Sequence, residues 1–242
     1  MISEKPWRAD AVLLLGAGLL IVLSMSVFAA ALMKGKNAPP DFIGFVVSTV
    51  VTQAFAIGLI HIFLRAHRIS WRDLLGLRQP RLLSIALFAL ALAVVASPIT
   101  WALSSLVIKI ITLLHQTPDQ QIAVQVLETT KEPAQRAVFA LAAIVMAPLV
   151  EEILFRGILY PLLKHHGYPR LALWGTSLLF AAVHIHLATF VPLFVFGMIL
   201  VWIYERTDTL LAPILTHATF NTINFLLFIN QPQIEQWLKR FE

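Results

Sequence analysis

The chain contains no cysteine, which excludes disulfides, thiolate metal sites and a cysteine nucleophile together. Charge is scarce as well: of 242 residues, 18 are Lys or Arg and 13 are Asp or Glu. A water-soluble body of this size needs far more charged side chains to cover its surface, so most of the exterior must face acyl chains. Internal repeats of fixed period and domain linkers are also missing, and a single bundle is the simplest organisation. What is present is apolar: 59% of residues are hydrophobic and mean hydropathy is +0.81. The expected fold class is therefore all-α, a polytopic transmembrane helical bundle, integral to a membrane, on expectation a bacterial inner membrane.

Apolar runs predict spans near 11–33, 42–64, 82–114, 136–163, 171–187, 189–204 and 210–229. That makes seven, or eight if Pro98 divides the third. Lys5 and Arg8 precede the first run, and Val27 and Ala29 are spaced like a signal-peptide cleavage site; the length of the run favours a retained anchor. The segment 115–135 is polar, broken by Pro118 and Pro133, with a weak apolar set at Ile122, Val126 and Leu127 that suits a short interfacial helix. Functionally the chain divides into N-terminal helices (1–133), a catalytic helical core (134–230) and a short polar tail (231–242).

The net charge of +5 sits in short connectors between apolar runs, so the basic residues read as topology determinants and nucleic acid is not an expected partner. With a cytoplasmic N-terminus, ten basic residues fall inside: Lys5, Arg8, Arg65, Arg68, Arg72, Arg78, Arg81, Lys164, Arg170 and Arg206. Six fall outside: Lys34, Lys36, Lys131, Arg136, Lys239 and Arg240.

Ionisable groups inside a span cost roughly 2.5 to 3.5 kcal/mol each on insertion scales, so each needs a reason. The fourth span holds Glu151, Glu152 and Arg156. Glu152 and Arg156 are spaced for an ion pair on one helical face. Glu151 projects about 100° away and is the carboxylate left free to act. The fifth span holds Phe180 and His184, with Ser177 two turns back, and the last has a polar stripe of His217, Asn221 and Asn224. Counted from the basic residue at each span's end, Glu151 lies roughly 20 Å from Lys164 and His184 roughly 21 Å from Arg170. His217 and Asn221 lie roughly 16 and 22 Å from Arg206 on the same rise. Three antiparallel spans thus bring a carboxylate, two imidazoles and a carboxamide to one level. A carboxylate beside an imidazole in a low-dielectric site can deprotonate water, and a second imidazole with a carboxamide can donate hydrogen bonds to a developing oxyanion.

At these residues the sequence resembles the CPBP family of intramembrane proteases, which includes the type II CAAX prenyl endopeptidases and bacteriocin-processing and immunity proteins. The motifs are EExxxR at Glu151 to Arg156, FxxxH at Phe180 to His184 and HxxxN at His217 to Asn221, and the connector Trp71 to Arg78 is similar to one common in such proteins. The resemblance implies that Glu151 and His184 activate water, that His217 and Asn221 form the oxyanion site, and that Glu152 with Arg156 supports them. It implies a metal-free glutamic protease with no cofactor, acting on a peptide or protein substrate at the lipid bilayer; oligomeric state stays open.

Blander readings stand beside this one. Glu152 and Arg156 suit a structural ion pair, His184 a core histidine bonded to a carbonyl, and Asn224 interhelical glue. His186 reads as interfacial, and His61, His67, His115, His165 and His166 lie at or near connectors. Zinc on Glu151, His184 and His217 is chemically sound, but the HExxH pattern of helical zinc proteases is absent. A non-proteolytic scaffold or immunity factor and a proton-coupled transporter are the alternative function classes.

Overall fold

In lipid a backbone has no hydrogen-bond partner but itself, and long apolar runs therefore close into helices. The computed structural model describes residues 7–33, 42–118 and 120–238, and among them there is helix and no strand. The helices are α1 (Ala9–Met33), α2 (Phe42–Ala66), α3 (Trp71–Leu75), α4 (Leu82–Leu113) and α5 (Ile122–Thr129). A continuous helical rod follows, α6 (Pro133–His165), then α7 (Pro169–Ala182), α8 (Leu187–Thr207), α9 (Leu211–Ile229) and α10 (Gln231–Leu238). Six of them, α1, α2, α4, α6, α8 and α9, are long and apolar enough to cross a membrane. The helical bundle agrees with the sequence; its details differ in three places.

Pro98 does not divide the third span, because α4 continues through it. The hydroxyl of Ser97 donates to Ala93 O (2.9 Å) and that of Thr100 to Ser97 O (2.8 Å), so side chains beside the proline bond to carbonyls of the same helix. The fifth apolar run gives only the 14-residue α7, and the chain turns at residues 183–186. Residues 231–238 form the helix α10 at the start of the expected tail. Lys5, Lys34, Lys36, Lys239 and Arg240, used above to count orientation, lie outside the described residues.

The bundle has a basic end and an opposite end. At the basic end Trp7 donates to Gly157 O (2.9 Å) and packs on Phe63, while Lys164 pairs with Glu205 (2.8 Å). The connector helix α3 is capped by the Ser70 hydroxyl, which accepts from Asp73 N–H, and stops at Gly76 with φ of 70°. Its buried Leu74 enters the core, and Leu75 O accepts from the Thr209 hydroxyl (2.7 Å). At the opposite end α5 buries Val126 and Leu127 against Phe139 and leaves Ile122 exposed. The short helix therefore lies on the bundle with two of the three apolar positions anticipated.

Around the core, α8 packs on α4 and α7, and α9 packs on α4. At Gly197 of α8 the two backbones come close: a side-chain carbon there would stand 3.2 Å from Ser177 Cα and 3.3 Å from Ser177 O. Small residues permit such contact between membrane helices. Replacing Gly197 with Val should push backbone against backbone and cost about 1 to 3 kcal/mol, measured as thermal unfolding in detergent. Gly58→Ala, where nothing lies within 4 Å, is the matched control and should leave the transition in place.

Candidate active site

The two adjacent carboxylates sit on a helix that is not regular. The α-helical turn Ala147–Glu152 is bracketed by π-helical segments Leu141–Met146 and Ile153–Leu159. Such bulges free carbonyls from the helical ladder. Ala147 N–H reaches back to Ala142 O, and Pro148 has no N–H to give, so neither binds Ala143 O. That oxygen accepts instead from Asn221 Nδ2 on α9 (2.8 Å). Similarly Pro161 cannot donate to Gly157 O, four residues before it, and the Trp7 indole does.

Glu152 is fully buried and organises what lies below the cavity. Its Oε1 accepts from Arg156 (3.0 Å) and faces His217 Nδ1 (2.9 Å). Arg156, equally buried, also donates to Gly197 O (3.0 Å) and lies over the Phe180 ring (4.5 Å). Phe180 in turn packs edge-on against His184 and His217. The EExxxR, FxxxH and HxxxN residues therefore form one contiguous cluster across α6, α7, α8 and α9. Ser177 is buried at the α7 and α8 crossing, outside the cavity lining.

Above this cluster a cavity of about 380 Å³ is lined by Glu151, His184, His217 and Asn221. Glu151 keeps 25% of its side-chain surface open, its Oε2 has no hydrogen-bond partner, and the imidazole within reach is His217, with Nε2 at 4.0 Å. No ion pair joins Glu151 to His184 among the described residues. His184 lies just past the end of α7, in the turn whose Ile185 has φ of 47°, and not within a span as the apolar run suggested. Its Nδ1 is held by Phe180 O (2.7 Å), leaving Nε2 as the ring nitrogen available to the cavity. Among the described residues no three His, Asp or Glu side chains are grouped to hold a metal ion.

The sequence reading missed the wall supplied by α4 and α5. Thr100, Trp101, Ser104, Gln121 and Leu127 line the same cavity. Trp101 Nε1 donates to Asn224 Oδ1 (2.9 Å), so Asn224 joins α9 to α4. The signal was available: Ser97, Thr100, Trp101 and Ser104 follow the spacing of one helical face. Gln121 Nε2 donates to Thr189 Oγ1 (3.0 Å), tying the start of α5 to α8 across the cavity mouth.

Residues 133–223 match the family model of type II CAAX prenyl endopeptidases, Rce1-like. Over this segment, which contains the EExxxR, FxxxH and HxxxN residues, the chain is similar to that family of CAAX prenyl endopeptidases. A relative, the UPF0177 protein YaiF of Lactococcus lactis subsp. lactis (strain IL1403), is 28% identical over 203 residues, covering 79% of this chain and 80% of that protein. No solved structure matches.

The buried pair gives this core a direct test. Arg156→Met should leave the Glu152 charge uncompensated and cost about 3 to 5 kcal/mol, read as unfolding in detergent. Adding Glu152→Gln in the same chain should recover part of that loss; full additivity of the two changes would show that the pair is not coupled.

Proposed function

We propose that the chain is an intramembrane endopeptidase that hydrolyses a peptide bond of a membrane-associated or lipidated protein or peptide with a water activated without a metal ion. The observation that carries this reading is that Glu151, His184, His217 and Asn221 line one cavity, with the buried Glu152 and Arg156 pair as a floor behind His217, outside the lining. A water hydrogen-bonded by Glu151 and His184 Nε2 loses a proton to Glu151 as its oxygen bonds to the peptide carbon. The carbonyl electron pair moves onto oxygen, which accepts hydrogen bonds from the second N–H of Asn221 and from Nε2–H of His217, here the imidazolium because Nδ1–H is already given to Glu152. The C–N bond then breaks, and Glu151 returns its proton to the leaving nitrogen.

The floor serves orientation. With Nδ1 turned to Glu152, His217 presents Nε2 toward Glu151 and the cavity. With one amide hydrogen on Ala143 O, Asn221 has its other N–H for the oxyanion. Apolar Leu127, Phe225 and Phe228 with Trp101 border the polar groups, a lining suited to an extended segment with lipid-like surroundings.

The test is cleavage of a pool of lipidated and membrane-tethered peptides by the reconstituted protein, read by mass spectrometry. Glu151→Gln should slow turnover by about 10² to 10⁴-fold with wild-type unfolding, and Asn221→Ala by about 10² to 10³-fold with a lowered unfolding temperature, because Ala143 O loses its donor. Cleavage by Glu151→Gln at the wild-type rate would remove the carboxylate from the mechanism.

A further inference from the structure

A second cavity, away from Glu151, lies at the basic end, between the start of α4 and the end of α8. It encloses about 510 Å³, with Arg81 and Arg206 among its lining residues and Ser84, Ile85 and Phe88 along α4. Neither guanidinium takes part in an ion pair or hydrogen bond among the described residues. Glu205 is engaged by Lys164 at 2.8 Å and Asp73 by Arg78 at 3.1 Å. Arg81 stands at the N-cap of α4 and its side chain caps nothing. The two positive side chains therefore add to a helix end that already favours an anion.

Beyond the polar Gln79, Ser84 and Thr207 the lining turns apolar along α4. Ile85 and Phe88 line it on α4, and the Phe88 ring meets Trp202 of α8 with centroids 6.0 Å apart. Phe88 and Trp202 are 42% and 46% exposed on the outer surface of a membrane-spanning bundle. Ser84 and Phe88 are one turn apart on α4, as are Trp202 and Arg206 on α8. The groove thus runs along the helices, from two cations at the connector level to an aromatic pair within the span.

A free phosphate has no use for the aromatic part of this groove, and a neutral lipid has none for the arginines. We infer that the groove between α4 and α8 binds an anionic phospholipid, its phosphate held by Arg81 and Arg206 and an acyl chain laid over Phe88 and Trp202. Guanidinium forks match phosphate oxygens, and an aromatic pair with one open side offers acyl-chain contact at the level expected for interfacial aromatics. This site is separate from the cavity of Glu151 and does not depend on the proteolytic reading.

The experiment uses the full chain in phosphatidylcholine vesicles doped with chain-brominated phosphatidylglycerol or chain-brominated phosphatidylcholine. The Trp202 signal is the difference in fluorescence between wild type and Trp202→Phe. In wild type, quenching of Trp202 should half-saturate at an about fivefold lower fraction of the anionic lipid than of the neutral one. The double variant Arg81→Gln/Arg206→Gln should erase that difference. Equal quenching by the two lipids in wild type would overturn the site, and this comparison stands even if the double variant folds poorly. Survival of the preference in a folded double variant would overturn the role of the arginines. Abolition of the preference by inorganic phosphate at constant ionic strength would identify a free-anion site and overturn the lipid assignment.

Discussion

A carboxylate shut away from water must be held by protein donors, and in this bundle that carboxylate is Glu152. One of its oxygens meets both Arg156 and His217, so a single charge on α6 connects its own helix to α9. Arg156 extends the connection to the α8 backbone at Gly197, where the absence of a side chain lets α7 pack tightly. Breaking such a pair is costlier than forming it is favourable, because the partner left behind has no solvent. The orientation of His217 and the crossing of α7 with α8 consequently depend on one polar cluster.

Two prolines give the same helix its second property. Pro148 and Pro161 sit where the ladder loses a donor, each beside a π-helical segment. The carbonyls at Ala143 and Gly157 are satisfied from elsewhere, by Asn221 and by Trp7. An irregular helix in lipid survives because neighbouring segments supply the missing bonds. Local sequence, helix geometry and placement of a cavity side chain are here one chain of causes.

Much of this could be read from the sequence, because its terms are periodic or local. Apolar length located the long helices, and the spacing of Glu152 and Arg156 foretold an ion pair on one face. Counting residues from basic boundaries brought Glu151, His184, His217 and Asn221 to one level, and all four line one cavity. Partner choice was not legible, since it depends on helix rotation and long-range packing. Glu151 faces His217 at 4.0 Å, whereas depth placed it level with both histidines and the family resemblance paired it with His184. The turn after Ala182 was hidden because its Val183 and Ile185 are as apolar as a span. The role of Pro148 in freeing a carbonyl for Asn221 needed the π-helical register, which no composition rule supplies.

The shortness of α7 has a consequence for the surrounding membrane. Fourteen residues rise about 21 Å, against a hydrocarbon thickness of about 30 Å. A segment this much too short is accommodated by local thinning of the bilayer or by inward displacement of headgroups and their water. The dimple so created would lie over the turn that carries His184. A reaction consuming water at that level would draw it through a shallow depression in the lipid, with no need for a long aqueous channel through the protein.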